Sequence, residues 1–409
     1  MTPPASDPVQ PAAASPAIPV SAILLLSAAA FASGLSMRVT DALLPHLARE
    51  FSVPLGSAAN VITFFAIAYG SAQLFFGPVG DRFGKYFVIA CACGASALSA
   101  TLCGLASDFS LLVLARALAG ATAAALIPLS MAWIGDVIPY ERRQPVLARF
   151  LIGQILGLSA GVWLGGFSAD HLHWRLPFFA IAAVFAAVSL LLFRLNRRLP
   201  AHARALHRVE GAALRRTFGE FRQVLARPWA RVVIASVSLE GLFLYGAFAF
   251  IATHVHHVHG VSLSLSGSLV MLFGAGGFLF ALASGVLVQR LGEVRLAASG
   301  ACLMGLGLLL VALGPHWWWA VPGCFLAGLG FYMMHNTLQI NATQMAPERR
   351  GAAVSAFASC FFIAQSAGVA IAGQLAQRIG TAPVIIGGAV GVVLVGISFS
   401  RLRRRSLAA

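Results

Sequence analysis

Ionisable side chains set inside apolar runs are where this sequence can do chemistry. Arg116 lies in LVLARALAGATAAALIP, Asp41 in RVTDALLPHLAREF, and Glu240 about ten residues into the run 230–252. A charge in such a run costs at least ~2.5 kcal/mol in lipid and is normally paired or functional. Glu240 is the one carboxylate inside the apolar runs of the second half, fit either to bind a ligand or to take up and release a proton. Gln154 and Gln365 reach comparable depths, and His335, Asn336 and Gln339 share one run. Glu240, Gln154, Gln365, His335 and Asn336 are therefore the candidate substrate ligands. A carboxylate beside a cation stays charged, and one separated from it takes up a proton more readily. Asp41 has two candidate cations: Arg116 in another run, and Arg38 one turn earlier, where spacing allows an ordinary interfacial ion pair. No nucleophile–base pair, metal cluster or phosphate-binding loop stands in the apolar runs, so no enzyme activity, metal, cofactor or ATP drive is expected.

The elements that must position these groups are long and apolar. Of 409 residues, 59% are hydrophobic and 10% charged, against about 25% charged in soluble domains. Runs of about 20 apolar residues match the ~30 Å hydrocarbon core as helices, which satisfy their own backbone hydrogen bonds in lipid. Twelve spans are expected: 20–44, 58–78, 86–106, 111–134, 145–169, 176–193, 230–252, 266–288, 296–313, 317–340, 352–376 and 381–399. The expected organisation is a disordered cytoplasmic tail (1–19), a six-helix bundle (20–193), a basic cytoplasmic linker (194–229), a second six-helix bundle (230–400) and a basic cytoplasmic tail (401–409).

Charge fixes the expected orientation. With both termini on one side, 23 of the 28 Lys and Arg residues fall there, and only Arg38, Arg49, Arg175 and Arg378 fall on the other. The positive-inside rule makes the crowded side cytoplasmic. The net charge of +15 is then a topology signal helped by anionic lipid, and no nucleic-acid partner is implied. The six cysteines all lie in apolar runs and read as packing residues. The tract HVHHVHG at 254–260 reads as a solvated outer loop.

The halves repeat each other. Gly77, Arg82 and Gly84 of GPVGDRFGK match Gly285, Arg290 and Gly292 of GVLVQRLGE at an offset of 208, and ERR recurs at 141 and 348. Six helices per copy is an even number, so the copies run parallel through the membrane. Gly77, Gly80 and Gly84 permit a tight turn, with Asp81, Arg82 and Lys85 around it. Gln289 replaces the acid in the second copy, so only the first turn is expected to be charged. In span 5, Gly157, Gly161, Gly165 and Gly166 give a face that another backbone can approach closely.

On these motifs the chain resembles the major facilitator superfamily. GPVGDRFGK is similar to its signature loop between helices 2 and 3, RALAG to the helix 4 motif of proton-coupled members, and GLSAGVWLGG to the helix 5 motif of drug:proton antiporters, with Val162 where that pattern has Pro. The resemblance implies an all-α membrane protein of twelve transmembrane helices in two pseudo-symmetric six-helix bundles, the major facilitator fold. It also implies that Gly77, Gly80, Asp81, Arg82, Gly84 and Lys85 form a conformational latch, and that Arg116, with Asp41, couples transport to protons. The expected protein is a monomeric secondary transporter in a bacterial inner membrane. It would export small amphiphilic or drug-like molecules by proton antiport, its partners being substrate, protons and lipids. The alternatives are efflux or uptake of a metabolite such as a sugar or amino acid, and a non-transporting receptor on the same fold.

Overall fold

The computed structural model describes residues 19–204 and 213–408. The expected tail 1–19 lies outside these except for Pro19, and so does part of the linker. The first half comprises α1 (Val20–Arg38), α2 (Leu44–Glu50), α3 (Leu55–Ala58), α4 (Asn60–Phe83), α5 (Lys85–Leu105), α6 (Phe109–Ala123), α7 (Leu126–Val137), α8 (Tyr140–His171) and α9 (Leu176–Asn196). After the linker helix α10 (Ala213–Leu225) come α11 (Pro228–Phe248), α12 (Ile251–His259), α13 (Leu263–Leu313), α14 (Ala320–Gln344), α15 (Arg350–Ile379) and α16 (Thr381–Ala408).

These helices make twelve crossings in two bundles. Among the described residues, ten stretches are long and apolar enough to cross a membrane. The 51-residue α13 supplies two crossings by folding back at Gly292, where φ is 66°, and the more polar α14 packs along it as another. Gly84 makes the corresponding bend between α4 and α5 at φ 91°. Both are left-handed conformations that favour a residue without Cβ. The repeat seen in sequence is thus a repeat of backbone geometry.

Three of the expected spans are broken. Span 1 stops at Arg38 and resumes as α2, span 4 divides into α6 and α7, and span 7 into α11 and α12. Span 7 therefore continues through the histidine tract, which is helical as far as Gly260. His254 is buried there, with its ring nitrogen 2.8 Å from Thr381 Oγ1. The solvated-loop expectation fails because these residues occupy a helix whose inner face packs against α13 and α16.

Glycines set the closest helix approaches. On α8, Gly157, Gly161 and Gly165 lie against the backbone of α1 and its extension, facing Phe31, Leu35 and Val39. A Cβ on Gly161 would stand 2.8 Å from the Leu35 carbonyl. Their neighbour Gly166 instead meets Leu263 in the other bundle, so the four-residue motif serves two interfaces. Gly157→Val is expected to prevent close packing of α1 on α8 and to remove most folded protein, read as monodisperse yield in detergent. Yield like that of the parent would mean that the two helices part without cost.

The bundles close against each other at the end away from the arginines. There α3 meets α15, where a Cβ on Gly56 would stand 2.9 Å from Gly373 O, and α13 meets α8, where one on Gly267 would stand 2.9 Å from Val162 O. Asp170, at the end of α8, accepts hydrogen bonds from the backbone N–H (2.5 Å) and hydroxyl (2.6 Å) of Ser264, capping the start of α13 in the other bundle. At the arginine-rich end, Gly77, Gly285 and Gly351 face nothing within 4 Å.

Candidate functional site

The break after α1 builds the first half of the site. Interrupting a helix frees carbonyls that need donors, and Arg116 on α6 reaches one of them, Ser36 O, while tying α4 to the break. Its Nη1 donates to Ser36 O (2.7 Å), its Nε to Val61 O (3.1 Å) and its Nη2 to Thr40 Oγ1 (3.4 Å). Its guanidinium also lies 4.2 Å from the centre of the Phe65 ring. Arg116 therefore has partners without Asp41. Those partners are three oxygens and an aromatic face, all within the first bundle.

Asp41 occupies the turn after the break and is 1% exposed. Its ion pair is with Arg38, Nη1 to Oδ2 at 3.3 Å, while its Oδ1 finds no hydrogen-bond partner among the described residues. Arg38 was expected at an outer interface but is itself buried, because it ends α1 beneath the other bundle. Its guanidinium sits 4.2 Å from the Tyr245 ring centre and 5.1 Å from that of Phe248, both on α11.

The second half of the site surrounds Glu240. This carboxylate is fully buried on α11, with Oε2 2.8 Å from Nδ1 of His335 on α14 and Oε1 unpartnered among the described residues. His335 is partly exposed and covers the acid. Its ring lies 4.8 Å from Phe331, 4.9 Å from Phe361 and 5.4 Å from Phe357. Gln365 is buried one turn along α15 from Phe361, and its Oε1 is also unpartnered among the described residues. Gln154 is half-buried on α8, with its backbone against Gly34 of α1, and Asn336 is half-buried beside His335. Glu240 and His335 are thus in contact, Gln365 stands close to them where Gly241 packs on α15, and Gln154 belongs to the opposite bundle. Phe248, Phe331 and Tyr332 join this cluster, whereas Phe64 faces outward and Phe65 packs on Arg116.

The turn at Gly84 is tied by charge. Lys85 Nζ bridges Asp81 Oδ1 (2.8 Å) on α4 and Asp136 Oδ2 (2.7 Å) on α7, while Arg82 lies over Phe83 and Gly80 packs on Leu129. Lys85 thus pairs within the bundle. The second copy is charged too, contrary to expectation. Glu293 follows Gly292 as Lys85 follows Gly84, and it pairs with Arg403 on α16 at 3.0 and 3.1 Å and with Asn341 on α14. The tie is kept with its sign reversed, which residue-by-residue matching of the repeats could not reveal.

Residues 26–369 match the family profile of the Major Facilitator Superfamily. Among similar proteins, the "Uncharacterized MFS-type transporter YwfA" of Bacillus subtilis is 27% identical over 72% of this chain and 69% of its own. The "Multidrug export protein EmrB" of Escherichia coli is 28% identical over 41% of this chain and 33% of its own. A "Probable sugar efflux transporter" of Helicobacter acinonychis is 21% identical over 91% of this chain and 92% of its own. A solved bacterial homologue of the human lysosomal transporter Spinster, inward-facing and unoccupied, superposes with a TM-score of 0.71 at 19% identity, covering 94% of this chain and 96% of that one.

Proposed function

Since this chain belongs to the major facilitator superfamily, we propose that it is a proton-driven exporter of small amphiphilic molecules, working by alternating access between its two bundles. The observation that carries the reading is Asp41: a buried carboxylate, paired with one arginine and near a second, at the contact between bundles. A single buried acid whose cation can be moved is what proton exchange requires. The relatives named for multidrug export and sugar efflux support outward transport.

The positive-inside rule supports reading the arginine-rich end as cytoplasmic, with both termini on that side of a bacterial plasma membrane and this form inward-facing. Protons bind at Asp41, with Arg116 holding the broken helix that carries it. Substrate meets His335, Asn336, Gln154 and Gln365, with Glu240 behind His335. The protein works as a monomer, its other partner being lipid. A sugar-like cargo is the second reading, favoured by the amide groups of Gln365 and Gln73, whose buried oxygens are unpartnered among the described residues.

The test is transport into everted membrane vesicles, against a panel of lipophilic cations and sugars, with the proton gradient present or collapsed. Gradient-dependent uptake of at least one compound is expected. Uptake that ignores the gradient would remove proton antiport.

The turn around Asp81 acts as the latch. Its ion pairs are all inside the first bundle here, which fits a state in which the cytoplasmic end is open. Asp81→Asn leaves Lys85 with Asp136, so the balance between inward- and outward-open forms should shift by no more than about fivefold, as expected for a partly exposed pair. Replacing both acids by Asn should shift it further. Cysteine accessibility at both ends reads the balance, and identical labelling in parent and double variant would contradict the role.

A further inference from the structure

Arg38 holds a position that the antiport reading leaves unused. Its partners lie on both bundles: the carboxylate of Asp41 on its own side, and the ring faces of Tyr245 and Phe248 on the other. A guanidinium buried to 3% exposure is costly unless charge and hydrogen bonds are matched, and aromatic faces in a desolvated setting supply part of that match. Removing either partner leaves the cation poorly satisfied.

We propose that Arg38 is the lock that keeps the empty, deprotonated carrier from switching. Resting on the proton-antiport reading above, it explains how that site controls the conformation. With Asp41 ionised, one cation is held from both sides and clamps the bundles together at the end away from the arginine-rich face. A proton moving onto Asp41 removes the negative partner; Arg38 then gains by turning to water, and the clamp is lost. The substrate side reaches the same cation through Tyr245, whose ring lies 5.9 Å from Phe331 and 5.6 Å from Phe361. Phe331 stacks on His335 and Phe361 meets it at a tilt, so a molecule inserted beside His335 displaces Tyr245 from Arg38. Either ligand opens the lock and the empty protein keeps it shut. Obligatory exchange needs that behaviour, since a carrier that crosses empty dissipates the gradient.

The groups facing this pair from neighbouring elements are Arg116 on α6, Tyr245 on α11 and Tyr332 on α14. Arg116 is tied by oxygens of the first bundle. Glu240 on α11 also bears on Tyr245, but Asp41 is the carboxylate paired with Arg38, so its protonation removes that cation's counter-charge.

The experiment reads opening directly. Leu263, buried against Gly166 across the closed interface, is replaced by Cys in the full chain lacking its six native cysteines. The protein is reconstituted in liposomes and labelled with a membrane-impermeant maleimide without substrate. At alkaline pH the parent and Tyr245→Phe, which keeps the ring face, should label slowly. Tyr245→Leu should label roughly fivefold to thirtyfold faster, as expected for loss of a buried cation–π contact. Because a maleimide attacks the thiolate, each rate is divided by that of the same cysteine in denatured protein at the same pH. Acidification should then raise the normalised rate of the parent and leave that of Tyr245→Leu nearly unchanged. In everted vesicles Tyr245→Leu should then let substrate run down its own gradient while failing to accumulate it against one.

Equal labelling rates and equal pH responses in parent and Tyr245→Leu, both monodisperse, would overturn the lock. Absence of gradient-driven uptake by the parent would overturn the antiport reading instead, and the two failures are separately visible.

Discussion

Asp41→Asn is expected to abolish proton-driven accumulation in everted vesicles while leaving folded protein near the parental level. The substitution is close to isosteric and keeps a group that can accept from Arg38, so the turn after α1 retains its shape. What it removes is the charge that a proton could neutralise. Substrate exchange across the membrane without a gradient should survive, because exchange does not require net proton movement. Arg116→Gln should behave differently. It takes the donor from the Ser36 carbonyl, which the break leaves without one from the backbone, and a buried acceptor left unpaired costs ~1–3 kcal/mol. Folded protein should therefore fall along with flux. If Asp41→Asn still accumulates substrate against a gradient, proton coupling lies elsewhere and Asp41 is a structural partner of Arg38.

Glu240→Gln is expected to weaken binding of a cationic substrate by roughly tenfold or more, since a hydrogen bond to a charged group contributes ~1.5–3 kcal/mol. The acid is fully buried behind His335, so it acts on substrate through that ring or after the ring turns aside. His335→Asn should then produce a loss of similar size. The double variant should lose little more than either single one, because contacting residues couple. Binding measured calorimetrically on detergent-purified protein, with a compound drawn from the vesicle panel, distinguishes the cases. Unaltered affinity in Glu240→Gln for every transported cation would remove the acid from the binding site. Full additivity would mean that the two residues act separately.

The spans, the parallel repeat and the turn at Gly84 were legible in the sequence because each is a local pattern: an apolar run of fixed length, or glycines beside charges at fixed spacing. The breaks at 124–125 and 249–250 were not, because apolar composition continues through both, and the break at 39–43 was not, because no proline or glycine marks it and its Thr40 and Asp41 lie at the end of an apolar run. Arg38 was misplaced for the same reason. It looked like the basic end of a continuous span, whereas the chain stops helically there and tucks the side chain beneath α11. Its aromatic partners lie more than 200 residues away, and no spacing rule links such positions. Asp170 capping α13 was hidden likewise, since a cap supplied by the other bundle leaves no local signature. Glu240, by contrast, stood out as an acid with no reason to be in an apolar run, and the structure supplies its partner, His335, from the set already singled out.

The measurement closest to the central claim is proton release on substrate binding. Purified protein in weakly buffered detergent solution is mixed with a transported compound, and the pH of the solution is followed. Release is expected in the parent at a pH where Asp41 still carries a proton, none in Asp41→Asn, and release retained in Lys85→Gln, which alters only the latch. Release of the same size in Asp41→Asn, or none in a parent that binds and transports the compound, would contradict the central claim.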